Sequence, residues 1–217
     1  MVNLNIIVEG GTFDPNAGIE TFNNVESLRE SLNKLFTRLL KRDDISVKID
    51  VGAGYRNAAK MFVKDVKDQY LYVDSDDLDT SKWYNKLNHI DPNKAIIIPQ
   101  EAKDKVFFMI QEMEAWFLKQ PVCIERWGQA QGYIRTNTDS EIVNDSLIVG
   151  KDIESLPKPS RILGVIVQRY FERTLPNGKR KKVKYGKLKS APAMIDQLDE
   201  QDLVTVDKEL YRFKVSF

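Results

Sequence analysis

The sequence predicts an α/β fold: a mostly parallel sheet with helices on both faces, plus a C-terminal extension. Two observations carry this. Short apolar runs rich in β-branched and aromatic residues, at 5–8, 46–51 and 70–73, alternate with segments whose apolar residues recur at helical spacing. The resulting order, β-α-β-α-β-α-β, lays strands side by side in parallel and sends each crossover through a helix.

Each element follows from its residues. Asn5-Ile6-Ile7-Val8-Glu9 reads as a first strand that runs into Gly10 and Gly11 and then a polar loop. Asn24 can cap a helix reaching about residue 42, because Leu28, Leu32, Leu35, Phe36, Leu39 and Leu40 fall on one face. Residues 46–51 form the second strand. Gly52-Ala53-Gly54 turns the chain into a helix over about 57–68, and residues 70–73 form the strand that delivers Asp74. A short amphipathic helix is expected at 81–87. Strand-length apolar runs follow at 95–99 and 106–110, the second leading into a helix over 111–118. The first 120 residues are thus expected to form the α/β core. Beyond Pro121, Gly128, Gly132 and the polar stretch 135–144 suggest loops, and Pro157 and Pro159 precede a helix over about 160–173. The extension, 121–217, carries a basic segment at 179–189 with no acidic residue.

Composition narrows the chemistry. With 217 residues, 42% of them hydrophobic and 30% charged, the chain can bury a globular core. Its net charge of +1 exerts no global pull on a polyanion, so any such affinity must be local. Met1 leads straight into a strand without a signal-peptide pattern, and no apolar run approaches the roughly 18 residues a membrane helix needs, so the cytoplasm is the expected compartment. The single cysteine, Cys123, excludes an intrachain disulfide. One histidine, His89, leaves too few ligands for a tetrahedral zinc site and stands apart from any nucleophile motif.

The residues that carry chemistry are acidic. Glu9 closes the first strand, and Asp74 and Asp76 close the third. In a parallel sheet these ends share the carboxyl edge, where open α/β sheets bind ligands. Converging carboxylates repel one another unless a hard divalent cation, Mg2+ or Mn2+, neutralises them and serves as a Lewis acid, so phosphoryl transfer is the expected chemistry. Glu114, opening a helix directly after an apolar strand, is a fourth candidate ligand. Taken one by one, the same residues also read as a turn cap, a solvated acidic loop and a helix start. Gly52-Ala53-Gly54-Tyr55-Arg56-Asn57 can cradle a phosphate on backbone N–H groups with Arg56 beside it, or be a plain tight turn; the third glycine of a dinucleotide fingerprint is missing at Asn57. Lys179, Arg180, Lys181 and Lys182 can neutralise nucleic-acid phosphates, and Tyr185 can stack on an unpaired base.

Ile7-Val8-Glu9-Gly10 followed by Val73-Asp74-Ser75-Asp76 resembles the Toprim domain of topoisomerases, primases and related nucleases. Gly54-Tyr55-Arg56-Asn57, Met113-Glu114-Ala115-Trp116-Phe117-Leu118 and Lys184-Tyr185-Gly186-Lys187 are similar to motifs of an uncharacterised Toprim-like bacterial family, commonly encoded beside ABC-type ATPases in phage-defence loci. The resemblance implies a Mg2+-dependent nuclease acting on DNA or RNA, including tRNA. Glu9 would handle a proton and share the metal with Asp74, Asp76 and Glu114, and Lys184 or Lys187 would approach the scissile phosphate. It also implies an ATPase partner. Lys119-Gln120 departs from the family, in which Ala-Asp commonly follows Trp-Phe-Leu, and there is no room for a topoisomerase tyrosine domain. Two other readings stand: a non-catalytic Toprim-like protein that binds and regulates an ATPase, and an Asp-x-Asp nucleotide-sugar transferase, which leaves Glu9 without a role.

Overall fold

The computed structural model describes residues 1–10, 19–91 and 94–217. In chain order the elements begin with β1 (Val2–Val8), α1 (Ile19–Leu40), β2 (Ile45–Val51), α2 (Tyr55–Phe62), β3 (Gln69–Asp74) and α3 (Thr80–Leu87). A hairpin, β4 (His89–Asp91) and β5 (Lys94–Ile96), and a 3-10 turn at Gln100–Lys105 lead to β6 (Val106–Met109), α4 (Glu114–Lys119) and α5 (Pro121–Ala130). Then come β7 (Ile134–Arg135), α6 (Pro159–Tyr170), β8 (Phe171–Thr174), β9 (Arg180–Lys182), α7 (Lys187–Ile195), α8 (Glu200–Val206) and α9 (Lys208–Val215). The polar loop expected after β1 lies outside the described residues.

The main sheet is four-stranded and parallel, in the order β2-β1-β3-β6. Successive side chains alternate between its faces. Leu4, Ile6, Val8, Tyr72, Phe107 and Met109 face α1, and Ile7, Leu71, Val73, Val106 and Phe108 face α2 and α3. Both faces are therefore covered, as a parallel sheet requires. The register pairs Val8 with Val51 and Tyr72, and Asp74 with Met109, so β1, β3 and β6 end on one rim.

The structure departs from the sequence reading at the run 95–99. It enters the separate antiparallel hairpin β4–β5, and residues 106–109 supply the fourth parallel strand. Burial explains the choice. Ile96 and Ile98 are buried while Ile97 is 62% exposed, which suits a half-wet hairpin, whereas all four residues of β6 are buried. The helix expected at 57–68 begins at Tyr55 and stops at Phe62, and the helix expected at 111–118 begins only at Glu114. α5 occupies a stretch that Gly128 and Gly132 had suggested was loop. A Cβ at Gly128 would lie 2.2 Å from the Phe171 ring, so its glycine serves packing, and Gly132, at φ +66°, follows the helix end.

Residues after 120 share the core of the sheet. Trp127, Leu163, Ile166, Met194, Leu210 and Phe213 form one apolar cluster with the α1 face, and Phe36 and Tyr72 pack edge-on against Phe213. The C-terminal helices also close an edge of the sheet. Glu209 on α9 accepts the Phe108 N–H at 3.0 Å, and Arg212 donates to the Val106 carbonyl while its guanidinium covers the Phe107 ring at 4.0 Å. At the opposite edge Asn33 Nδ2 donates to the Val47 carbonyl at 2.7 Å. Among the described residues no helix is long and apolar enough to cross a membrane.

Candidate functional site

The rim formed by the ends of β1, β3 and β6 gathers acidic side chains. Glu9 follows β1 directly, and its N–H donates to the Tyr72 carbonyl at 3.2 Å, which seats it against β3. Asp74 ends β3 and is 5% exposed. Its Oδ1 accepts the Met113 N–H at 2.9 Å, and its Oδ2 accepts Lys187 Nζ at 2.8 Å. Two tight turns lock together beyond it: Asp76 N–H donates to the Gln111 carbonyl at 2.9 Å, and Gln111 N–H donates to Ser75 Oγ at 2.7 Å. Asp76 and Gln111 both adopt left-handed backbone, at φ +55° and +61°, a cost that side chains with a Cβ meet only where surrounding contacts impose it. That interlock places Glu114, the fully buried first residue of α4, beside Asp74.

Two lysines stand among these carboxylates. Lys86, at the end of α3, donates to the Asp74 carbonyl at 2.7 Å, pairs with the Asp76 carboxylate and lies 3.5 Å from Glu9 Oε2. Its ammonium also sits 4.5 Å from the centre of the Tyr55 ring, tying the start of α2 to the cluster. Lys187, the first residue of α7, bridges Asp74 and Glu114, 3.7 Å from Glu114 Oε2. Tyr185 donates its hydroxyl to Glu114 Oε1 at 2.9 Å.

Burial and mutual repulsion dominate the electrostatics. Burial pushes the Glu9 carboxyl above its usual range; Asp74 and Asp76 push it further, against the pull of Lys86 and Lys187. Asp74 and Glu114 are raised for the same first reason, with Lys187 opposing. Burial alone would depress Lys187, but Asp74, Glu114 and Glu9 outweigh it and hold the ammonium protonated well above its ordinary range. Tyr185 is raised by burial and by Glu114 next to it.

The structure thus brings Glu9, Asp74, Asp76, Glu114, Tyr185 and Lys187 into one constellation. Tyr185 is half-buried and commits its hydroxyl to Glu114. Lys184 is exposed and lines a separate cavity, beside Lys181 and Lys182. Arg56 is exposed at the start of α2, with its guanidinium 5.8 Å from the Tyr55 ring centre. Lys179, Arg180, Lys181 and Lys182 are exposed on the β8–β9 hairpin, where Lys182 pairs with Glu172 at 3.2 Å. The Gly52 turn reads as packing: a Cβ there would lie 2.6 Å from Ala58, and Asn57 Nδ2 donates to the Gly52 carbonyl at 2.7 Å. Lys86 escaped the sequence reading because only the fold aims the end of α3 at the rim. Lys119 is buried between Glu154 (2.7 Å) and Asp207 (2.8 Å), and Trp116 Nε1 also donates to Asp207, at 3.0 Å.

The donor set suits a hard divalent cation: all the candidate ligands are carboxylate oxygens, and Glu9 Oε2 and Glu114 Oε2 are buried without a hydrogen-bond donor. Among the described residues, though, no three acidic, histidine or cysteine side chains are already arranged to hold a metal ion. The two ammoniums supply the neutralising charge instead, and an ion seated between Asp74 and Glu114 would require Lys187 to turn away. A cavity of about 300 Å³ bounded by Asp76, Gln111, Glu112 and Lys158 opens beside the cluster. No family model, curated protein or solved structure matches the chain.

Proposed function

We propose that the chain is a Mg2+- or Mn2+-dependent nuclease that hydrolyses phosphodiester bonds of DNA or RNA, built on a Toprim-like core at residues 1–120 with residues 121–217 packed on it as an extension. One observation carries the reading: Glu9, Asp74, Asp76 and Glu114, from three separate stretches of sequence, meet with Lys86 and Lys187 on the carboxyl rim of a parallel sheet. Glu9, Asp74, Asp76 and Glu114 would hold the ion, which supplies Lewis-acid polarisation of a phosphoryl oxygen. Glu9, its proton affinity raised by burial, is the carboxylate suited to accept and return a proton. Lys187, turned off Asp74 and Glu114 when the ion is bound, offsets negative charge that develops on the phosphoryl oxygens. Tyr185 orients Glu114 through its hydroxyl. Cytoplasmic action as the effector of a defence pair with an ABC-type ATPase is the part of the proposal carried by the resemblance.

The test is cleavage of single- and double-stranded DNA, bulk RNA and tRNA with and without Mg2+ or Mn2+, alone and with the ATPase. Metal-dependent product is expected, reduced about 100-fold or more in Glu9→Gln and Asp74→Asn at unchanged circular dichroism. No metal-dependent product across that panel overturns the proposal. The ammoniums already seated in the cluster favour a second reading, a non-catalytic partner that binds and regulates an ATPase, and retained biological activity in Asp74→Asn with Asp76→Asn would select it.

A further inference from the structure

A second site lies on the other side of the segment that reaches the carboxylates. The net charge of the chain is only +1, yet residues 173–195 contain eight Lys or Arg and no Asp or Glu, so positive potential is concentrated here. The fold shapes that segment into a cavity of about 320 Å³. Arg173, Lys181, Lys184 and Lys189 line it together with Trp127 and Tyr133. Its aromatic wall is rigid: Trp127 is buried, and Tyr133 packs edge-on against it with ring centres 5.2 Å apart. The volume is at the lower end for small-ligand pockets, which admits one nucleotide and excludes a duplex.

The stretch of chain that lines this cavity runs on to the acidic rim. Val183 N–H donates to the Phe171 carbonyl at 3.0 Å and extends the β8–β9 ladder, with its side chain in the core. Residues 181–184 all line the cavity, Tyr185 then reaches Glu114 and Lys187 reaches Asp74. Lys187 lies three positions after Lys184, a reach of at most about 11 Å along the backbone.

We infer that this cavity is a subsite for one nucleotide of a single-stranded nucleic acid, its phosphate held by Lys181, Lys184 and Arg173 and its base laid against Tyr133. Cations and an aromatic face in one concavity are the elements of single-strand recognition, and the lining contains no carboxylate to repel a phosphate. The subsite rests on the nuclease reading only for its purpose: it places a strand so that a neighbouring phosphodiester reaches the carboxylates.

Binding is therefore measured without catalysis. Fluorescein-labelled single-stranded DNA and RNA oligonucleotides are titrated with the full chain in EDTA, read by anisotropy at several salt concentrations, with a matched duplex and a 5′-mononucleotide as competitors. Single strands are expected to bind more tightly than the duplex, and the mononucleotide to compete. Lys181→Ala with Lys184→Ala should weaken binding about tenfold and flatten the salt slope by about 1 to 1.5. Tyr133→Leu should weaken binding severalfold with the slope unchanged. Both lysines are exposed, so an unchanged melting temperature serves as the folding control. Equal affinity for the duplex, or unchanged binding in the lysine variant, overturns the subsite. Intact binding beside a catalytically silent wild type instead counts against the nuclease reading and leaves the subsite standing.

Discussion

Glu9 shows how burial and charge compete at one residue. Its raised pKa means that folding favours the protonated form, so this carboxyl contributes stability that is fully present below its ordinary 4.5 and is lost as pH rises through the elevated value. Asp74 and Glu114 act with the same sign. Lys187, raised above its ordinary 10.5, contributes stability throughout the neutral range, and Asp77, Asp79 and Asp199, all lowered, lose theirs only as pH falls below about 4. In EDTA the protein should accordingly melt at a higher temperature at pH 5.5 than at pH 7.5. Glu9→Gln should raise the pH 7.5 melting temperature and narrow that gap. Scanning calorimetry of both forms checks it, and a wild-type protein that is more stable at pH 7.5 would contradict the assignment. Glu9, Asp74 and Asp76 were legible in the sequence because a strand ending in an acid announces where its carboxylate lies once strands are parallel. Lys86 was not, because its place depends on how α3 packs.

At the level of elements, apolar runs marked the strands, but only burial on both faces distinguished β6 from the half-exposed run at 95–98. The boundaries of α2 and α4 were less legible, since tertiary turns decide them. Gly52 is the clearest case: α2 approaches so closely that a Cβ would sit 2.6 Å from Ala58 backbone and side-chain atoms. Gly52→Ala should cost about 1–3 kcal/mol in urea unfolding, because backbone rather than a flexible side chain must give way. It should also disturb Tyr55, and through its ring the seat of Lys86. α5 was obscured by Gly128, whose reason for being glycine is Phe171, 43 positions further along the chain. No local pattern could announce that contact. The strain at Asp76 and Gln111 was equally hidden, since left-handed backbone at these residues follows from the interlock of two distant turns.

Across the whole molecule, the parallel sheet and the core shared by its α1 face with the C-terminal helices make the rim a rigid platform, with acidic chemistry at its centre and a basic cavity beside it. The α/β class was legible from the alternation of patterns, whereas the closure of the sheet by α9 was not, because Glu209 and Arg212 read as ordinary surface charges. Glu209→Ala with Arg212→Ala should lower stability by about 2 kcal/mol and raise light scattering on heating, as β6 regains unpaired backbone groups. Unchanged scattering would show that the α9 contacts do not guard that edge. The same clasp bears on biosynthesis. A ribosome makes β6 about a hundred residues before it reaches Arg212, so at roughly 5–20 residues per second a growing chain bears an open strand for about 5 to 20 seconds. Crowded polysomes, where many such chains ripen side by side, are where this protein is most exposed to mispairing with its own kind.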